Sequence, residues 1–144
     1  MKRLAIAMVV VGLSAAALCA ADPDISKAKC PLSGKPCVAK SATEYNGGTL
    51  YFCCTNCPKA FAKDPAKHAT KANKQLADTG QAKQTGCPIS GKPTKEGTAI
   101  SVGGVEVAFC CNNCKGKVES AGDDEQLTLC FGADAFEKAF KVGE

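Results

Sequence analysis

Ten cysteines lie beyond residue 21, and eight of them fall into two sets with one spacing: Cys30, Cys53, Cys54 and Cys57, then Cys87, Cys110, Cys111 and Cys114. In each set a lone cysteine is followed by 22 residues, an adjacent Cys-Cys pair, two residues and a last cysteine. Thiolates gathered in this way suit soft cations, zinc or copper(I), and disfavour magnesium or calcium. The same even numbers also permit a disulfide framework, and the two-residue gap from Cys54 to Cys57 is that of thiol-disulfide redox motifs. Ser33 and Ser90 stand three residues after the lone cysteines, where a second ligand on the same turn would normally stand, and serine is a poor substitute. Cys37 and Cys130 have no counterparts and read as a mutual disulfide or free thiols. The single histidine, His68, has no partner histidine and reads as an ordinary surface or helix residue.

The elements that must position these sulfurs are also repeated. At an offset of 57 residues, Cys30-Pro31-Leu32-Ser33-Gly34-Lys35-Pro36 recurs as Cys87-Pro88-Ile89-Ser90-Gly91-Lys92-Pro93, and 13 of the 28 positions from Cys30 to Cys57 are identical in the second copy. A Pro-x-Ser-Gly-x-Pro run directly after a cysteine predicts a tight turn, or knuckle, with backbone amides aimed at the sulfur. Alternation over 104–109 predicts a strand paired with 99–102, and Tyr45-Asn46-Gly47-Gly48-Thr49 predicts the matching turn before 50–52. After each Cys-Cys pair a short helix is expected, with Asn56 or Asn113 as its cap and Pro58 in its first turn. A second helix can start at Pro65, and an amphipathic turn or two covers 134–140, with Phe136 and Phe140 on one face. The fold class is therefore small α+β, two tandem cysteine-rich modules of knuckle, β-hairpin and short helix, over residues 28–69 and 85–143. The Lys-, Ala- and Gln-rich stretch 70–84 between them reads as an exposed, partly helical linker.

Composition narrows the function classes. Lys2 and Arg3, the apolar run 4–18 and the small residues Cys19-Ala20-Ala21 read as a cleaved secretory signal over residues 1–21, which places the mature chain in the periplasm or outside the cell. The run is shorter than the ~20 residues a membrane span needs, so no membrane association is expected after cleavage. Beyond the signal, 16 basic and 14 acidic side chains leave a balance too mild for a nucleic-acid-binding surface. The halves differ in sign: 22–86 carries ten lysines and five acids, 87–144 six lysines and nine acids. With no histidine pair, no Ser-His-Asp set and no phosphate-cradling glycine loop, the chain does not read as an enzyme.

Cys30, Cys53 and Cys57, and again Cys87, Cys110 and Cys114, resemble the TRASH pattern of one cysteine, about twenty residues, and two cysteines separated by three. Tyr51-Phe52-Cys53, Phe61 and Asp64-Pro65 are similar to the related YHS pattern. The two patterns together cover most of the chain after the signal. The resemblance implies treble-clef-like heavy-metal modules used in metal sensing, trafficking or resistance, with a metal transporter or recipient protein as partner. The chain departs from the YHS pattern at Ser33 and Ser90, and the second copy has Val118 in place of Phe61 and lacks Asp-Pro.

Overall fold

The computed structural model describes residues 23–143, so the leader expected over 1–21 lies outside it. The architecture is small α+β, and among the described residues no helix is long and apolar enough to cross a membrane. The first copy opens on the knuckle and runs into an antiparallel hairpin, β1 (Val38–Tyr45) with β2 (Gly48–Phe52), followed by α1 (Asn56–Lys63). In the second copy β4 (Ile100–Val102) pairs with β5 (Val105–Val107), followed by α3 (Asn112–Glu119). Both hairpins turn at the repeat-equivalent pair of residues with positive φ, Asn46 (48°) and Gly47 (81°), then Gly103 (58°) and Gly104 (93°). Two successive positive φ values make the tight turn whose twist matches that of the strands it joins, which explains why glycine and asparagine stand there. In β2, Leu50 and Phe52 point inward and are fully buried, as the strand period requires.

Helices α1 and α3 start where expected but not on the expected caps. Their N-caps are Thr55 and Cys111, neither makes a side-chain cap bond, and Asn56 and Asn113 lie within the first turn. Phe61 of α1 packs edge-on against Tyr45, ring centres 5.4 Å apart, and against Phe52 at 5.7 Å. Val118 fills the corresponding position of α3 and is fully buried, so the smaller side chain still serves as the inward anchor.

The stretch 70–84 is not an exposed linker. After a 3-10 turn at Ala66–His68 it forms α2 (Ala69–Asp78) and then β3 (Ala82–Gln84), with Ala72, Asn73, Gln75 and Leu76 buried. These positions recur at helical spacing and make one inward face. Alanine is small and the two amides satisfy themselves on neighbouring backbone, so this face carries little hydropathy to read. α2 packs on β2, on α4 (Asp123–Phe131) and on α5 (Ala133–Ala139), and Asn73 Nδ2 donates to the Phe131 carbonyl at 3.0 Å. β3 pairs antiparallel with β6 (Phe140–Val142), tying the end of the described chain to the middle. Phe136 and Phe140 do come together, stacked 5.1 Å apart, but Phe140 has already passed from helix into strand.

One buried cluster therefore runs through both copies, from Leu50, Phe52 and Phe61 through Ala72 and Leu76 to Val107, Phe109 and Phe131. The difference in charge between the halves plays no visible part in joining them. The ion pairs among the described residues, Lys74 with Asp78 and Lys115 with Glu119, are both one helical turn apart within a single helix.

Candidate metal centres

Each knuckle is built identically. The Cys30 amide donates to the Lys35 carbonyl (2.8 Å) and the Gly34 amide to the Cys30 carbonyl (2.8 Å); the Cys87–Lys92 and Gly91–Cys87 bonds repeat this at 2.8 and 2.7 Å. Gly34 and Gly91 close the turn at a φ of 70°, a conformation glycine adopts without a side-chain penalty. The turn buries the cysteine sulfur and surrounds it with donors. Burial opposes ionisation of Cys30, but the Ser33 hydroxyl and the amides of Cys53, Ser33 and Leu32 outweigh it and hold the thiol at about 6. Cys87 is held at about 7 in the same way, burial being overcome by the Cys110 amide, the Ser90 hydroxyl and amide, and the Ile89 amide.

The second strand of each hairpin and the helix after it deliver the other sulfurs. Cys30, Cys53 and Cys57 form one group and Cys87, Cys110 and Cys114 another, all sulfurs within 4.8 Å of one another in each. The Cys53–Cys57 and Cys110–Cys114 sulfurs are 3.6 and 3.7 Å apart. Three or four metal–sulfur bonds of about 2.3 Å would place their sulfurs roughly 3.8–4.0 Å apart, so little movement separates these groups from a coordination shell. Burial, followed by donation to Cys54, Cys53 and Cys30, pushes the Cys57 thiol well above its ordinary value; burial and donation to Cys110 and Cys111 push Cys114 up to about 12. Each group thus holds a proton among several sulfurs, a position a soft cation can take over.

Cys54 and Cys111, expected in the ligand sets, stand outside both three-sulfur groups. Cys54 is exposed, with its sulfur 3.4 Å from that of Cys57, and Cys111 lies 3.8 Å from Cys110. Both thiols are lowered: Cys54 by the Cys57 side chain and then the amides of Asn56 and Cys57, Cys111 by the Cys114 amide and side chain. Cys37 and Cys130 are free thiols, as are the other eight described cysteines. The Cys37 sulfur donates to the Tyr51 carbonyl (3.1 Å), and burial raises it to about 11; burial raises Cys130, on α4, to about 12. His68 lies in neither group and is near the Phe61 ring, 6.4 Å between centres.

Two glutamines with no visible signal in the sequence hold the groups in shape. Gln75, from α2, accepts from the Tyr51 amide (2.7 Å) and donates to the carbonyls of Tyr51 (2.8 Å) and Lys29 (2.9 Å). Gln84, from β3, accepts from the Ala108 amide (2.9 Å) and donates to the carbonyls of Ala108 (2.7 Å) and Gly86 (2.8 Å). Tyr51 and Ala108 are repeat-equivalent, as are Lys29 and Gly86, yet Gln75 and Gln84 are not. Two unrelated positions thus make one clamp, fastening the residue before each knuckle cysteine to the strand that leads to the Cys-Cys pair. Nothing local marks either glutamine, because each partner is defined only by the folded chain.

No family model, curated protein or solved structure matches this chain.

Proposed function

We propose that this chain is an exported protein that binds two soft metal ions, zinc or copper(I), one in each cysteine group, for buffering or delivery to a transporter or recipient protein. The observation that carries the reading is the repeated convergence of three sulfurs within 4.8 Å on a knuckle, a strand end and a helix start. The order of knuckle, hairpin and helix supports a treble-clef-like module, and with the TRASH-like spacing it favours metal handling as the common purpose of both copies. A native mass spectrum of the chain purified without reductant or chelator, with a count of free thiols, tests it. Two ions per chain with metal-protected thiols is the expected result. No metal, with mass lost in pairs of hydrogens, would overturn it in favour of a disulfide framework.

A second reading, thiol-disulfide exchange, draws on the 3.4 Å approach of the Cys54 and Cys57 sulfurs and the lowered Cys54 thiol. It predicts a measurable Cys54–Cys57 reduction potential that is unchanged when Cys30 is replaced by serine.

A further inference from the structure

The position after each knuckle cysteine where a fourth sulfur would stand is occupied by a hydroxyl already committed to hydrogen bonding. Ser33 Oγ lies 3.2 Å from the Cys53 sulfur, and Ser90 Oγ lies 3.1 Å from the Cys110 sulfur. Each oxygen also accepts a long bond from the amide two residues on, Lys35 at 3.4 Å and Lys92 at 3.3 Å. With that amide on one oxygen lone pair, the hydroxyl proton is left for the sulfurs of its group, shared between the knuckle cysteine and Cys53 or Cys110, and a metal-bound thiolate has only acceptor capacity to offer it. The separation argues the same way. An oxygen and a sulfur on one tetrahedral zinc would be about 3.5 Å apart, given bonds of about 2.0 and 2.3 Å. Both copies are closer than that, at a distance suited to a donated hydrogen bond.

Resting on the metal-binding reading above, we propose that Ser33 and Ser90 are specificity-determining residues: each donates to a ligand sulfur, withholds a second ligand from the knuckle, and so biases its group toward a three-coordinate soft monovalent ion of the copper(I) class. Structural zinc is almost always held by four protein ligands, all of them thiolates in some sites, whereas the singly charged copper(I) is satisfied by fewer thiolates. The hydroxyl also draws charge from a three-thiolate shell, a demand that is greater when the ion brings one positive charge instead of two. The same geometry recurs in both copies, within the best-preserved run of the repeat, which makes the arrangement a property of the knuckle.

The test uses the full chain under anaerobic, reducing conditions, with copper(I) and zinc titrated against chromophoric chelators and sulfur number read by X-ray absorption. The native chain is expected to bind two copper(I) ions with three sulfurs each. The Ser33→Cys, Ser90→Cys chain should bind zinc at least a hundredfold more tightly than the native chain, through four sulfurs, with copper(I) affinity changed less than tenfold. Ser33→Ala, at an exposed position where folding is not at stake, should leave zinc affinity within about threefold. A tenfold loss of zinc on Ser33→Ala would make the hydroxyl a ligand and overturn the inference, as would a cysteine pair that leaves zinc binding unchanged. Failure of the native chain to bind either ion would overturn the metal-binding reading itself.

Discussion

Replacing Gln75 by alanine removes a clamp whose three bonds, at 2.7, 2.8 and 2.9 Å, end on backbone groups of Tyr51 and Lys29. A typical hydrogen bond contributes about 0.5–1.5 kcal/mol net, and a buried group left without its partner costs about 1–3 kcal/mol. Lys29 is an exposed residue and its bond to Gln75 is only part-buried, so that carbonyl is counted at the low end, whereas the Tyr51 amide and carbonyl face the almost wholly buried Gln75. Counting the two Tyr51 groups in full and Lys29 at the low end gives a loss of about 2.5–6.5 kcal/mol, a large share of the ~5–15 kcal/mol that stabilises a domain. Urea unfolding of the chelator-treated chain measures this directly. Because the clamp sets the distance between the Cys30 knuckle and the strand leading to Cys53, metal affinity should also fall at least tenfold at that group. Measured in a Cys114→Ser background, where only the first group keeps three sulfurs, the affinity loss should appear with Gln75→Ala and not with Gln84→Ala. A stability change below about 1 kcal/mol, or equal affinity losses from the two glutamine variants, would refute the reasoning.

The repeat supplies a matched pair of hydroxyls. Thr98 Oγ1 accepts from the Phe109 amide and donates toward the Lys95 and Phe109 carbonyls, whereas its counterpart Ser41 is buried and finds no partner among the described residues. Thr98→Val should therefore cost about 2–3 kcal/mol in urea unfolding, and Ser41→Ala should be neutral or stabilising by up to about 1 kcal/mol; a loss from the second would contradict the assignment. Since Cys30 is held at about 6, loading the first group at pH 7.5 should release fewer than three protons per ion, measured by calorimetry in buffers of different ionisation enthalpy; release of three would disprove the lowered thiol. In timed alkylation at pH 7.5 read by peptide mass spectrometry, Cys54, exposed and lowered, should react first, and Cys130, fully buried and raised to about 12, last. Gly132→Ala would push a methyl to 2.5 Å from the Thr128 carbonyl oxygen, a backbone atom that cannot swing aside, so a loss of about 1–3 kcal/mol is expected and an unchanged urea midpoint would rule out that contact.

What could be read from the residues was whatever the chain states locally or states twice. The 57-residue offset exposed the knuckles, the turns at Asn46-Gly47 and Gly103-Gly104, the helices after the Cys-Cys pairs and the convergence of Cys30, Cys53 and Cys57 with their counterparts. The cysteine spacing could not show that Cys54 and Cys111 stand outside the three-sulfur groups, because side-chain direction at a strand-to-helix junction depends on where the helix starts. The helical character of 70–78 is legible but its burial is not, because apart from Leu76 the buried face of α2 is alanine and amides, and the value of an amide lies in partners 24 and 46 residues away. The fourth helix, Asp123–Phe131, was hidden for a related reason: its inward residues Cys130 and Phe131 find their neighbours on α2 and near β6, not along the helix itself.

Both clamps come from one short run of chain, with Gln75 reaching back to the first copy and Gln84 forward to the second. The duplication visible in the cysteines is therefore not a duplication of self-sufficient parts. A fragment ending at residue 70 would carry Cys30, Cys53, Cys54 and Cys57 intact yet lack the side chain that spaces them, while one beginning at residue 85 would lose the same service for the other group. Anyone dividing this molecule for expression, labelling or grafting would have to share out an indivisible middle.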